Sequence, residues 1–436
     1  MKRILPTILL VIFIFIQQPI AQTKLDSLAI LRQSGIQLYV QGDYRSAASA
    51  FKTCLSDSTK DTLANYYSGL CAYQLGDYPL AQANFSITIH NDSLSKSSYF
   101  QRGRVHASMG LFPAAISDYE HAIRYDTTFR PARIELLKIL CLVQRYDTAV
   151  ALADTNSIDE LVTVGRGLVA AMKYQAALPI ARRAIVLDER SYATQLLLGD
   201  IYFGMDDFNG ALGTYAGLLF YYKDAAAAVR KLAICFSQRK TKEDYSIAIR
   251  FMQKYFDLSS DYNASDLGRV GSWFYARSEY DSAVAYFDRA VRLDSLNPVP
   301  HYNLGSALLK KDSLDAARNE LNTAYVLSKN SVDLSASILT SLGGIYYKQR
   351  SMYSAINAYK QAINLSSANA QAMYGLAVCY DLSLSYDKSL DVKENALQWY
   401  NKFLQNTSGN DAQLVNHAKK RVQELTKQIK DEKQNK

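Results

Sequence analysis

A chain of 436 residues, 49% of them apolar and 21% charged, can bury the core of two or three ordinary domains or of one long array. Its formal net charge of +8 is far from the dense basic patch that a nucleic-acid binder needs, so no nucleic-acid partner is expected. Only 8 prolines against 32 tyrosines, with abundant Ala and Leu, argue for helices.

Residues 1–21 read as a secretory signal peptide. Lys2 and Arg3 give a basic start, Thr7 to Ile16 an unbroken apolar run, and Ala21 a small residue for cleavage. The run is shorter than the about 20 apolar residues of a membrane span. No later run is long enough either, so the mature chain is expected to be exported, with no integral membrane span. No cysteine follows the apolar run, which argues against a lipid anchor. Cleavage would remove Lys2 and Arg3 and no acid, leaving a mildly basic chain, with residues 22–27 as a short linker.

The five cysteines, Cys54, Cys71, Cys141, Cys235 and Cys379, are odd in number and form no close pairs. They read as small buried apolar residues, with a Cys54–Cys71 bridge as the alternative in an oxidising compartment. No His or Cys pair has metal-ligand spacing, and no nucleophile elbow, phosphate loop or dinucleotide fingerprint occurs. No catalytic residue, cofactor or metal is therefore expected. The paired acids Asp206 and Asp207 fall where "GDY" stands elsewhere and read as an inter-helix turn.

The chain repeats itself. "GDYRSAASAF" from Gly42 returns as "GDYPLAQANF" from Gly76, a step of 34 residues. Gly35, Gly69 and Gly103 share that step, as do Ala47, Ala81, Ala115 and Ala149, and Phe51, Phe85 and Tyr119. It recurs at Gly165 and Gly199 and at Gly271 and Gly305. Inside one unit the spacing is helical. Tyr99, Arg102, Gly103 and His106 share one face, Pro113 opens the next helix, and Phe112, Ala115, Tyr119 and Ala122 mark a second apolar face. Small residues at Gly103 and Ala115 let the two helices approach closely.

A 34-residue helix–turn–helix unit with small residues at the helix crossing and aromatics between units resembles the tetratricopeptide repeat (TPR). The resemblance covers almost the whole mature chain. It implies an all-α fold, a right-handed superhelix of about eleven units starting near Leu28, Thr62, Lys96, Arg130, Ile158, Tyr192, Ala226, Ala264, Pro298, Ala336 and Ala370. The fourth unit is short, so a joint is expected near Thr155–Asp159, dividing units 1–4 (residues 28–157) from units 5–11 (residues 158–409). Residues 410–436 are expected to form a capping helix with a basic tail.

In this family the first helix of each unit lines the concave side. The resemblance therefore implies a partner-binding face that includes Tyr39, Tyr66, Tyr67, Tyr73, Phe100, Arg104, Lys138, Arg166, Arg230, Arg269, Tyr275, Tyr302, Asn303, Tyr347 and Tyr374. Tyr offers area with a polar handle and Arg offers paired donors to carboxylates, so the expected partner is an acidic protein or peptide. The Lys and Asn constellation with which some relatives clamp chaperone tails is absent around Asn303. Asp-Ser/Thr triplets at Asp26, Asp57, Asp61, Asp92, Asp126, Asp147, Asp281, Asp294 and Asp312 resemble O-glycosylation acceptors of Bacteroidetes-type exported proteins. The same residues are favoured at turns and helix N-caps, where these triplets fall. The expected function is a non-enzymatic protein-binding scaffold in the periplasm or cell envelope. A component of an outer-membrane assembly or secretion complex is a narrower alternative, and a glycan-binding uptake protein is a different one.

Overall fold

The computed structural model describes residues 27–57, 59, 61–91, 95–407 and 412–434. The expected signal peptide at 1–21 and residues 22–26 of the linker lie outside them, as do the triplet positions Asp26 and Asp92. All regular structure among the described residues is α-helical. The chain divides into two compact units, one ending at Tyr222 and one beginning at Lys223.

The first unit holds six hairpins. They are α1 (27–40) with α2 (Tyr44–Asp57), α3 (Thr62–Gln74) with α4 (Tyr78–Asn91), and α5 (Lys96–Ser108) with α6 (Phe112–Tyr125). Then come α7 (Arg130–Leu142) with α8 (Tyr146–Leu152), α9 (Ile158–Ala170) with α10 (Tyr174–Leu187), and α11 (Tyr192–Gly204) with α12 (Phe208–Tyr221). The second unit holds five: α13 (Ala226–Ser237) with α14 (Lys242–Leu258), α15 (Ala264–Ala276) with α16 (Tyr280–Leu293), α17 (Pro298–Lys310) with α18 (Leu314–Leu327), α19 (Val332–Lys348) with α20 (Met352–Leu365), and α21 (Ala370–Ser383) with α22 (Leu390–Asn406). A final helix, α23 (Ala412–Gln434), packs on α22. The tenth hairpin opens earlier than its repeat position, at Val332 instead of Ala336. The short α8 and the segment Thr155–Asp159 lie inside the first unit.

The recurring "GDY" has a local cause. In the α3–α4 turn Gly76 takes φ +79°, and Asp77 N–H donates to the Ala72 carbonyl at 2.9 Å, which closes α3 in a left-handed cap. Asp77 then accepts from Leu80 N–H and caps α4. Asp206 and Asp207 divide the same work: Asp206 takes φ +60°, and Asp207 accepts from Gly210 N–H at 2.9 Å. Their paired carboxylates belong to the turn.

Within a hairpin, the small residue of the first helix lies under the ring of the second. A Cβ on Gly103 would meet the Tyr119 ring at 2.7 Å, and one on Gly343 would meet the Tyr359 ring at 2.7 Å. The periodic Gly and the periodic aromatic are therefore two halves of one contact. Between hairpins, most first helices also touch the next: α3 with α5, α7 with α9, α9 with α11, α15 with α17, α17 with α19 and α19 with α21. Second helices make no comparable contact with one another among the described residues. Within each unit the first helices thus form the tighter, inner layer.

The last hairpin is closed by α23. Arg421 donates to Asp381 from Nε at 2.7 Å, Lys433 pairs with Glu394 at 2.7 Å, and Lys393 pairs with Glu432. All five cysteines are buried and free, so Cys54 and Cys71 form no bridge. Burial alone pushes the Cys71 thiol up to about 11 and the Cys379 thiol up to about 12, which keeps both protonated and inert.

Candidate functional site

The inner layer carries the fifteen candidate residues, but the fold uses many of them itself. In the first unit Tyr39 meets Tyr44 and Tyr67 at ring distances of 5.5 and 5.6 Å. Tyr67 stacks on Phe51 at 5.8 Å, and Tyr66 stands edge-on to Phe85 at 5.8 Å. Burial raises the phenol pKa of both Tyr39 and Tyr66. Phe100 is wedged between Tyr119 and Phe129. These rings close single hairpins (Tyr39–Tyr44, Tyr66–Phe85, Phe100–Tyr119) and seal one hairpin to the next (Tyr39–Tyr67, Phe51–Tyr67, Phe100–Phe129).

Tyr73 is different. Its hydroxyl lies 3.3 Å from Ser108 Oγ, and the Arg104 guanidinium sits 4.7 Å above its ring. Arg104 also donates to Gln101 at 2.9 Å. Arg104, Lys138 and Arg166 are each the ninth residue of α5, α7 and α9, so the repeat sets them in one row. Lys138 pairs with Glu135 on its own helix at 2.7 Å and keeps 55% of its side chain exposed. Lys138 and Arg166 stand at a groove of about 570 Å³ between α7 and α9, floored by Cys141, Gly167 and Ala170. A Cβ on Gly167 would meet the Cys141 sulfur at 2.5 Å, so this glycine lets the two first helices approach.

In the second unit Arg230 is committed: it donates to Asp266, which is 1% exposed, at 2.7 and 2.9 Å. Arg269 is exposed and Asn303 half-buried. Tyr347 packs on the cluster around Leu376 and Tyr359, and Tyr374 lies against Tyr400 and Phe403, with its hydroxyl 3.0 Å from His417 Nδ1. Tyr275 and Tyr302 are brought together at a cavity of about 470 Å³ that spans α15, α17, α19 and the start of α21. Sequence reasoning missed most of its lining: Ser306, Lys310, Thr340, Gly344, Tyr359 and Gln371. One signal was available. Tyr359, like Tyr119 and Tyr215, carries a hydroxyl at the periodic aromatic position that Phe51, Phe85 and Phe287 fill without one.

No group of three or more metal-ligating side chains occurs among the described residues, and none of their helices is long and apolar enough to cross a membrane.

Stacked helix hairpins whose first helices form an inner layer define an α-solenoid repeat protein. Residues 33–93 and 272–332 match one tetratricopeptide-repeat family model, and residues 97–129 and 336–369 match another; the chain carries tetratricopeptide repeats in both of its units. It is 26% identical over 144 residues to Protein STIP1 homolog of Dictyostelium discoideum, a match covering 30% of this chain and 25% of that relative. The chain therefore spans about a quarter of that relative's length. Among solved structures it is similar to a tetratricopeptide repeat protein from Parabacteroides merdae, with 13% identity over 65% of this chain and 99% of that one and a TM-score of 0.43. It is also similar to YrrB, described as a TPR protein with an unusual peptide-binding site, with 18% identity over 44% of this chain and 96% of that one and a TM-score of 0.39.

Proposed function

We propose that this chain is a non-enzymatic scaffold that binds an acidic segment of a partner protein across the inner layer of its first unit, in the periplasm or cell envelope. The single observation behind the binding reading is the row Arg104, Lys138 and Arg166 at equivalent positions of three successive first helices, beside an open groove. Cations repeated at the helix spacing match carboxylates repeated along an extended chain, and paired guanidinium donors favour carboxylates over neutral groups. Repeat solenoids present such extended surfaces as their ordinary means of binding. The tyrosines seal the hairpins and give this face its rigidity, while the cations give it its preference. Export rests on the basic start and short apolar run of residues 1–21.

The test is cross-linking of the tagged protein in its native envelope, beside an Arg104→Ala/Lys138→Ala/Arg166→Ala variant. A discrete protein partner lost in the variant is the expected result, and a partner retained by the variant overturns the first-unit assignment. Fractionation tests the location: deletion of residues 1–21 should leave the protein in the cytoplasm.

A further inference from the structure

The cavity of the second unit has a chemistry of its own. No carboxylate of the described residues lines it. Three of its hydroxyls are occupied within α19, where Ser337, Thr340 and Ser341 donate to the carbonyls of Asp333, Ala336 and Ser337. The side chains of Tyr275, Tyr302 and Gln371 make no hydrogen bond among the described residues, and three further donors stand uncommitted deeper in the wall or at the rim. Ser306 Oγ is buried without a hydrogen-bond partner. Tyr359, only 7% exposed, lines the cavity, and its hydroxyl makes no hydrogen bond among the described residues. Lys310 at the rim has no acidic partner among them, whereas its neighbour Lys348 is held by Asp312 at 2.6 Å. Buried donors without acceptors are costly, and a ligand that supplies acceptors relieves that cost.

The backbone beneath the hydroxyl points the same way. Gly343 is needed for packing, because a Cβ there would strike the Tyr359 ring at 2.7 Å. Gly344 has no such reason: its nearest neighbour would be the Tyr359 hydroxyl at 3.7 Å. A glycine inside a helix costs about 1 kcal/mol relative to alanine. Here that cost leaves the Tyr359 hydroxyl without a methyl neighbour on the Gly344 side.

We propose that this cavity binds a side-chain carboxylate of an acidic polypeptide segment, received by the Tyr359 hydroxyl, Ser306 and Lys310. The proposal rests on the scaffold reading and adds a second, separate site to it. A carboxylate brings acceptors and one negative charge, which matches a lining with no acid, one lysine without an acidic partner and several hydroxyls able to donate. A neutral sugar leaves the lysine charge unbalanced, and a phosphate dianion brings more charge than the one uncommitted lysine balances. The cavity is only partly enclosed, which leaves room for the rest of a longer chain outside it.

The test is calorimetric titration of the full chain with hexaglutamate and hexaglutamine. It is made in the Arg104→Ala/Lys138→Ala/Arg166→Ala background, so that the first-unit groove does not contribute. Hexaglutamate should bind about tenfold or more tighter than hexaglutamine, as expected for hydrogen bonds to a charged acceptor. Tyr359→Phe keeps the ring over Gly343 and should weaken hexaglutamate about fivefold or more, as should Lys310→Gln. Gly344→Ala should weaken binding while raising the unfolding midpoint, a pairing that a merely structural role would not produce. Equal affinity for the two peptides, or binding indifferent to Tyr359→Phe and Lys310→Gln, overturns the proposal. Equal or tighter binding of trigalacturonate overturns the assignment to polypeptide. If hexaglutamate binds only when Arg104, Lys138 and Arg166 are present, the cavity proposal fails and the scaffold reading stands.

Discussion

Hairpins 3 and 4 are neighbours in the first unit, yet they are held by different chemistry. In hairpin 3 the fourteen-residue α6 brings the Tyr119 ring over Gly103, and buried Asp118 takes two charge-assisted bonds from Arg102. In hairpin 4 the second helix, α8, stops after seven residues. Leu137 stands where Gly103 stands, and Ala153 where Tyr119 stands. The missing half-helix is replaced by a polar joint. Glu160, 3% exposed, accepts from Arg133 at 2.8 and 2.9 Å and from Asp154 N–H at 2.8 Å. Arg133 also bonds the Leu152 carbonyl, and Arg183 reaches back from α10 to the Thr155 carbonyl. Without a full second helix between them, α7 and α9 pack directly on each other. One repeat is thus closed by a ring over a glycine together with an ion pair, and the next by an ion-paired joint without the ring.

That contrast is easiest to break at its two centres. Tyr119→Ala removes the ring that fills hairpin 3 and should cost about 3–5 kcal/mol, the range for truncating a buried aromatic. Glu160→Ala removes the acceptor at the centre of hairpin 4. Truncating one member of a buried ion pair costs about 3–5 kcal/mol, and the partial exposure of Arg133 lowers the expectation to about 2–4. Urea unfolding gives both losses, and hydrogen exchange locates them. Protection should fall in α5 and α6 for the first variant and in α7 and α9 for the second. A loss below about 1 kcal/mol for Glu160→Ala, within the range of a surface pair, would show that the polar joint is not what closes hairpin 4.

A smaller effect separates the two hairpins by pH. At the end of α6 the Asp126 carboxylate is held down to about 2 by hydrogen bonds from Lys96 and from the Thr128 hydroxyl and N–H. Its folded-state pKa is depressed, so its stabilisation is fully present above the ordinary carboxylate value of 3.8 and is lost as pH falls through about 2. Asp126→Asn should remove that acid-limb dependence from hairpin 3. Stability curves of the two proteins should converge below about pH 2, and parallel curves would refute the assignment.

Much of this was legible in the sequence, for a physical reason. A repeat fixes which residue faces which, so the Gly and aromatic periods located nearly every hairpin, and the shortness of unit 4 was visible as a missing stretch of chain. What replaced the missing helix was not visible, because Arg133 and Glu160 meet across 27 positions and belong to no period. The candidate site was legible as a layer and not as a surface. A tyrosine on a first helix can face a ligand or the next hairpin, and only packing decides. Phe100 and Tyr67 went inward, Tyr275 and Tyr302 reached a cavity, and Tyr359 was missed because its position marks it as core although it also lines the cavity.

The smallest effect sharpens the comparison at the turns. Hairpin 3 places Gly110 at the left-handed position, with φ +73°, where an added Cβ would meet nothing within 4 Å. Hairpin 4 places Gln144 there, with φ +62°, and pays for its Cβ in backbone strain. The cost of that conformation for a residue with a side chain is about 1 kcal/mol or somewhat more. Glycine avoids it but gives back part through the freedom it adds to the unfolded chain. Gln144→Gly should therefore stabilise the protein by about 0.5–1 kcal/mol, and Gly110→Gln should cost about 1 kcal/mol. Because both exchanges leave side-chain packing alone, their opposite signs in urea unfolding isolate the turn from the joint. Two shifts of the same sign would mean that the turn residue acts through its side chain, and that hairpins 3 and 4 differ in more than how their second helices close.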